Sequence, residues 1–330
     1  MKALRVHTFA TPAPWQLDDI PRDDPGPGQV RVRIVAAGIS LVDQLRAEGK
    51  YQIKPALPYI GGSEYSGIVE AVGSDVPGTL SVGDRVAGLH HGIWAESACM
   101  PYQACHRLGP VDDALLVESA LVAMPYATAL YALDLRGHLK AGETVFVLGA
   151  MGGVGHAAMQ TAKALGARVI AGATTAARRE AALQDGADAV VDTGVADWKD
   201  ALKSAAGPGG VDVVVDPVGG AATEMAFRAL GWGGRLLVIG FAAGAIGKLP
   251  ANLALLKGAA MVGVDLRAFG EREPEAMQSV RERVFALHAS GRVRPRIGLQ
   301  VPADDYARAF AATRDPGTQG RVVLRFGGAS

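Results

Sequence analysis

The sequence predicts an α/β protein of two domains: a doubly wound parallel sheet with helices on both faces, and a small β-barrel or sandwich. Three observations carry this. From Thr144 onward, apolar runs of strand length alternate with helical stretches. Before about residue 120, shorter apolar runs follow one another between Gly, Pro and Asp turns. The length of 330 residues suits two domains rather than one.

The parallel sheet is organised around TVFVLGAMGGVG at 144–155. Val145-Phe146-Val147-Leu148 is an unbroken apolar run, the pattern of a strand buried on both faces. A glycine-crowded turn follows, and His156 to Gln160 open a helix. Ala150, Gly152 and Gly155 hold the spacing of a dinucleotide fingerprint, with alanine in the first glycine position. The middle glycine admits a pyrophosphate to bare backbone. The last lets helix and strand pack closely. Gly153 and Val154 complete the turn, where free amides and the helix dipole favour an anion. Strands at 167–173, 189–192, 211–216 and 235–240 repeat the alternation, and a sixth is expected at 259–266. Such a sheet places its ligand at the carboxyl ends of its strands.

In the first part of the chain, strands are expected at 4–6, 30–35, 68–72, 85–89 and 95–100, separated by turns such as Asp23-Asp24-Pro25-Gly26 and Val82-Gly83-Asp84. One helix interrupts them at Leu41 to Ala47, ended by Gly49. After residue 267 the pattern gives one amphipathic helix near 275–290 and a last strand at 321–326. That strand finds its most economical role in pairing back onto the first domain.

Composition narrows the partners. A formal net charge of zero and 20% charged residues argue against a polyanion or a membrane surface, which require clustered Lys and Arg. No apolar run reaches transmembrane length, and Lys2-Ala3-Leu4-Arg5-Val6 leads directly into a strand with no signal-peptide core, so a cytoplasmic protein is expected. Cys99 and Cys105 read as two ordinary thiols rather than a disulfide or a zinc site. His90 and His91, adjacent in sequence, point to opposite faces of a strand and would not converge on one ion without a bulge.

With these pieces in order, the chain resembles the medium-chain dehydrogenase/reductase superfamily, and within it the zinc-independent quinone oxidoreductase branch. The carriers include AAGISLVDQLRAEGKY at 36–51, GGSEYSGIVEAVG at 61–73, GAMGGVGHAAMQTAKALGARVIA at 149–171 and GRLLVIGFAAG at 234–244. The resemblance implies a GroES-like catalytic domain of residues 1–124 plus 267–330 and a Rossmann domain of residues 125–266. It also implies a homodimer joined through the last strand of each Rossmann sheet. The positions that hold catalytic zinc in the alcohol dehydrogenases match Ser40, Ser63 and Met124 here, a set without thiolate or imidazole, so no metal is expected.

The cofactor expected is NADPH. NAD-specific sites end the second strand with an acid that binds the ribose hydroxyls, whereas this strand ends in Ala173. Thr174 and Thr175 follow as hydroxyl donors, and Arg178 matches the basic residue that meets the 2′-phosphate in NADPH-using relatives. Arg179 reads as part of a solvated helix face, pairing with Glu180 or Asp185. The resemblance places the nicotinamide near Gly240-Phe241 and Val264-Asp265, with Ser40 and Thr128 on the barrel side, and counts Val218 among the cofactor-binding residues.

Without a Lewis acid, the acceptor must already be electrophilic: a quinone or an α,β-unsaturated carbonyl. Tyr51 matches a tyrosine of the family's quinone pocket and is a candidate proton donor, with water as the alternative. Ser40 replaces an asparagine there and keeps a shorter hydrogen-bonding group. Asp43 reads as a cap or turn residue rather than a base, and Trp94 and Tyr59 as core or surface residues unless they shape the pocket. Two other functions fit the sequence: an enoyl-thioester reductase, and an NADPH-binding protein with a structural or sensing role.

Overall fold

The computed structural model describes residues 1–315 and 317–327; residues 316 and 328–330, which include the end of the expected first domain, lie outside the described residues. The chain forms two compact units, 1–124 with 295–330 and 125–294. Residues 267–294 therefore pack in the second unit, whereas the sequence placed them in the first. The helix Pro274–Ala289 buries Met277, Val280, Val284, Phe285 and His288, and its contacts fall on the helices Pro125–Leu130 and Leu266–Arg272. An amphipathic helix goes where its apolar stripe is covered.

In the first unit the strands are β1 (Lys2–Val6), β2 (Gln16–Asp19), β3 (Gln29–Gly38), β4 (Tyr59–Ile60), β5 (Glu64–Val72), β6 (Arg85–Leu89), β7 (Ser97–Pro101) and β8 (Cys105–Arg107). The second unit carries β9 (Thr144–Val147), β10 (Arg168–Ala173), β11 (Ala189–Asp192), β12 (Val211–Asp216), β13 (Leu230–Val238) and β14 (Ala260–Gly263). The chain then returns to the first unit with β15 (Ile297–Pro302) and β16 (Arg321–Arg325).

The ten-residue β3 is the spine of the first unit. It pairs with β5 along one side, with β7 through Gln29–Arg33, and with β16 through Ala36–Gly38, all antiparallel. The last strand thus pairs back onto the first domain, as the sequence suggested. Trp94, fully buried, settles in the core: its ring lies 5.0 Å from Trp15 and 5.6 Å from Phe310, and its Nε1 donates to Gly38 O. Gly61 and Gly62 make room for it, since a Cβ at either would come within 2.3 or 2.2 Å of the indole. This close approach fixes the segment that presents Ser63 and Glu64.

The second unit is a six-stranded sheet of order β11-β10-β9-β12-β13-β14, parallel throughout. Chain order reverses between β9 and β12, the switch point where such sheets open a crevice at their carboxyl ends. The sixth strand is shorter than expected, because Asp265 caps a helix from Leu266 to Arg272 through its Oδ1, which accepts from Ala268 N at 3.0 Å. The region after 267 also holds β15 and the helix Tyr306–Arg314 in addition to the expected helix. Among the described residues, no helix is long and apolar enough to cross a membrane.

Candidate functional site

In the second unit the expected cofactor residues gather at the carboxyl ends of the parallel strands. Gly149 lies in the turn after β9 with φ of +59°, a left-handed conformation that suits glycine. The next amide, of Ala150, donates to Gly172 O of β10 at 3.0 Å. Gly152 is the N-cap of the 12-residue helix Gly153–Ala164 and supplies no side-chain cap. A Cβ on Gly155 would lie 2.2 Å from Gly149 O, so only glycine lets this helix sit so close to the strand end. Exposed Gly152, an uncapped helix start at Gly153 and Val154, and that close packing fit a dinucleotide pyrophosphate.

The neighbouring strand ends are tied to this turn. A Cβ on Gly149 would come within 2.9 Å of Val218 Cγ2, so Val218 packs over it. Buried Asp216 shapes the Val218 loop: Oδ1 accepts from Val218 N at 2.9 Å and Gly219 N at 2.8 Å, while Thr223 Oγ1 donates to Oδ2 at 2.6 Å. Ala242 N and Ala243 N then donate to Pro217 O and Val218 O, joining this loop to the Gly240-Phe241 loop. Asp216 was not singled out from sequence; the available signal was an acid closing a valine-rich strand.

At the end of β10, Ala173 is buried, and Thr174 and Thr175 are exposed. Thr175 caps the helix Ala176–Gln184, its Oγ1 accepting from Arg178 N at 3.3 Å. Arg178 is half-buried in the first turn of that helix. Arg179 is a structural residue, but its partners differ from those expected: Nη1 meets Asp192 at 2.9 Å and donates to Ala173 O at 3.3 Å. Asp185 is occupied instead by His156 Nε2 at 2.9 Å. Val264 is buried after β14, and the Asp265 carboxylate is engaged in the cap already described. Thr128, grouped with the barrel from sequence, lies in the helix Pro125–Leu130 of the second unit and is 7% exposed.

The first unit places Ser40 and Tyr51 on either side of the helix Leu41–Ala47. Ser40 and Asp43 form a capping box: Asp43 N donates to Ser40 Oγ at 3.2 Å, and Ser40 N to Asp43 Oδ2 at 3.0 Å. The Ser40 hydroxyl also donates to Oδ2 at 2.6 Å, and Ser63 Oγ donates to Oδ1 at 3.0 Å. Asp43 is thus the cap the sequence suggested and also the acceptor for both serines. Each hydroxyl spends its one proton on this carboxylate and keeps only acceptor capacity.

Glu64 stands beside this group, 1% exposed, with Arg321 Nη2 donating to its Oε1 at 3.1 Å and to Ile39 O at 3.2 Å. Burial pushes both the Asp43 and Glu64 carboxyls upward, against the opposing pull of hydrogen bonds and the Arg321 charge. With its serines hydrogen-bonded to Asp43 and Glu64 bound to arginine, this donor set does not fit a catalytic zinc ion. Among the described residues, no group of three or more His, Cys, Asp or Glu side chains is gathered to hold a metal. His91 meets Arg46 instead. Tyr51 is half-buried, and its ring centroid lies 5.2 Å from the Arg46 guanidinium carbon. Arg46 was not singled out from sequence, because an arginine on a short helix carries no motif.

The alcohol dehydrogenase GroES-like domain family matches residues 26–111, and the zinc-binding dehydrogenase family matches residues 153–282. Quinone oxidoreductase-like protein 2 of Rattus norvegicus is 33% identical over 300 residues, covering 91% of this chain and 85% of that protein. Quinone oxidoreductase of Homo sapiens is 32% identical over 331 residues, covering 98% and 97%. The solved structure of a mycobacterial quinone oxidoreductase superposes with a TM-score of 0.86 at 29% identity, over 98% of this chain and 99% of that one. Two domain families in order, near-full-length relatives and a glycine turn shaped for a dinucleotide agree: the chain belongs to the medium-chain dehydrogenase/reductase superfamily, in its quinone oxidoreductase branch, and is a nicotinamide-dependent oxidoreductase.

Proposed function

We propose that the chain is a zinc-independent, cytoplasmic reductase that passes hydride from NADPH to a quinone or an α,β-unsaturated carbonyl. The observation that carries this reading is the donor set at the zinc positions: Ser40 and Ser63 are hydrogen-bonded to Asp43, and Met124 replaces the third ligand. No Lewis acid is then at hand to polarise a simple carbonyl or an alcohol, so the acceptor must delocalise the incoming charge itself.

The chain's residues divide the work. The Gly149–Gly155 turn binds the pyrophosphate on backbone amides, and Val218 with the Gly240-Phe241 loop walls the nicotinamide end. Thr174, Thr175 and Arg178 receive the 2′-phosphate beside Ala173, where no carboxylate repels it. Bound NADPH supplies the hydride. Tyr51 or water gives the proton that completes the two-electron reduction, with Ser40 offering an acceptor lone pair to orient the substrate.

The test is NADPH oxidation, followed by loss of reduced-nicotinamide absorbance, with benzoquinone, phenanthrenequinone, an alkyl enone and crotonyl-CoA, each repeated with NADH. Turnover of a quinone or the enone with NADPH preferred is expected. Crotonyl-CoA turned over far above the rest would assign an enoyl-thioester reductase. Cofactor binding with silence across the panel would leave a structural or sensing role.

We also propose a homodimer through the β14 edge. The strand carries half-exposed Met261, and the preceding helix Ala251–Lys257 shows Leu255 and Leu256 at 80% and 69% exposure. An open strand edge flanked by bare leucines is a template for pairing. The Leu255→Glu, Leu256→Glu double variant is expected to sediment as a monomer with unchanged circular dichroism, against a dimeric wild type. A monomeric wild type would exclude this edge.

A further inference from the structure

Arg46 is a half-buried cation without an anion. Among the ion pairs of the described residues, none includes it, and the acids nearest in sequence are already engaged. Asp43 accepts from Ser40 and Ser63. Glu48, on the same helix end, takes Lys50 at 2.9 Å and Arg314 at 3.6 Å. The side chains in direct contact with the guanidinium are neutral. Its Nη1 lies 2.8 and 2.9 Å from the two ring nitrogens of His91, and the face of Tyr51 rests on it. Burial, the Arg46 charge and His90 bring His91 down to about 4, so the ring is uncharged at neutral pH and accepts from Arg46. Two further polar atoms here are buried without a well-formed hydrogen bond: Arg46 Nε and the Tyr59 hydroxyl, which lies close enough to Arg46 for the guanidinium to act on it.

A guanidinium with a buried Nε normally keeps a carboxylate or phosphate beside it, because the hydration lost at that edge must be replaced. Here Nη1 is occupied by His91 while Nε stands orphaned, which leaves the Nε–Nη2 edge, the fork that grips a carboxylate through two parallel hydrogen bonds. The Tyr59 hydroxyl, beside Arg46, adds a third donor. Tyr51, whose ring rests on the guanidinium, makes no hydroxyl hydrogen bond among the described residues. Tyr51 is also the residue that the family resemblance places in the acceptor pocket. We propose that Arg46, with the Tyr59 hydroxyl, forms a subsite for a carboxylate carried by the acceptor, so that the physiological substrate class is an anionic quinone or enone. The proposal rests on the reductase reading above and names the acceptor's second recognition element.

The test uses one scaffold in two charge states: benzylideneacetone bearing a para carboxylate, and the methyl ester of that compound. Calorimetry on the wild-type protein with NADPH bound, and without it, measures the affinity of each. The acid is expected to bind about 10- to 100-fold more tightly than the ester, the range for two hydrogen bonds between charged groups. In Arg46→Met the ratio should fall to about one, and in Arg46→Lys, which keeps the charge but not the fork, to an intermediate value. Equal binding of acid and ester by the wild type overturns the subsite with no variant needed, as does an acid preference that survives Arg46→Met. NADPH oxidation with the same pair separates the two readings. If the ester is turned over and the acid gains nothing, the reductase stands and the subsite falls. If the acid binds through Arg46 and neither compound is reduced, the subsite stands and the reductase falls.

Discussion

Replacing Arg321 with methionine is expected to lower the unfolding free energy by about 3–5 kcal/mol near neutral pH, because removing one partner of a buried pair leaves the other charge stranded. Glu64 is 1% exposed and Arg321 is its ion-pair partner, with the arginine side chain itself only 14% exposed. The loss should depend on pH in a definite direction. Burial raises the Glu64 carboxyl above its ordinary 4.5, and Arg321 opposes that rise. A carboxyl whose folded value is raised stabilises the fold while protonated, and that contribution is lost as pH climbs from the unfolded value through the folded one. Without Arg321 the folded value rises further, so the deficit of the variant should widen between about pH 5 and about pH 8. Urea unfolding of both proteins at those two pH values measures it. A deficit that is flat with pH would assign Arg321 to packing alone. In the Glu64→Gln background, Arg321→Met should cost far less, since no charge is left to strand.

Replacing Arg178 with alanine should raise the NADPH KM about 10- to 100-fold and leave NADH within about twofold, the difference expected when a charge-assisted phosphate contact is lost and nothing else changes. The neighbouring arginine supplies the contrast. Arg179 is fixed to Asp192 and to the Ala173 carbonyl, so Arg179→Ala should weaken both cofactors together by loosening the loop after β10. Steady-state kinetics with each cofactor at saturating acceptor distinguishes the two. Equal losses for NADPH and NADH in Arg178→Ala would remove it from the 2′-phosphate site.

Local pattern made much of this legible. Val145 to Leu148 declared a buried strand, Gly155 had the position that requires close packing, and Ser40 three residues before Asp43 had the spacing of a cap. These are short-range rules, and the structure follows them. The features that escaped are set by distance along the chain. Arg321 meets Glu64 across 257 residues, and Arg46 meets His91 across 45; no periodicity reports such pairs. Arg179 shows the same limit on a smaller scale: its helix neighbours Glu180 and Asp185 were the local choice, but Asp192 on the adjacent strand was in reach. The helices after Gly263 were misallotted for a related reason. An amphipathic stripe indicates that a helix will be covered, but not which unit covers it.

The spine strand of the first unit has three partners, and one of them is made very late. β3 is synthesised by residue 38, yet β16, which closes its Ala36–Gly38 end, does not exist until residue 325. The second unit, by contrast, is one unbroken stretch from 125 to 294. During translation the parallel sheet can therefore be complete while the first unit is still short of two strands, with Glu64 waiting for the arginine that neutralises it. The order of assembly is written into the connectivity: the contiguous parallel-sheet unit is complete before the first unit receives β15 and β16.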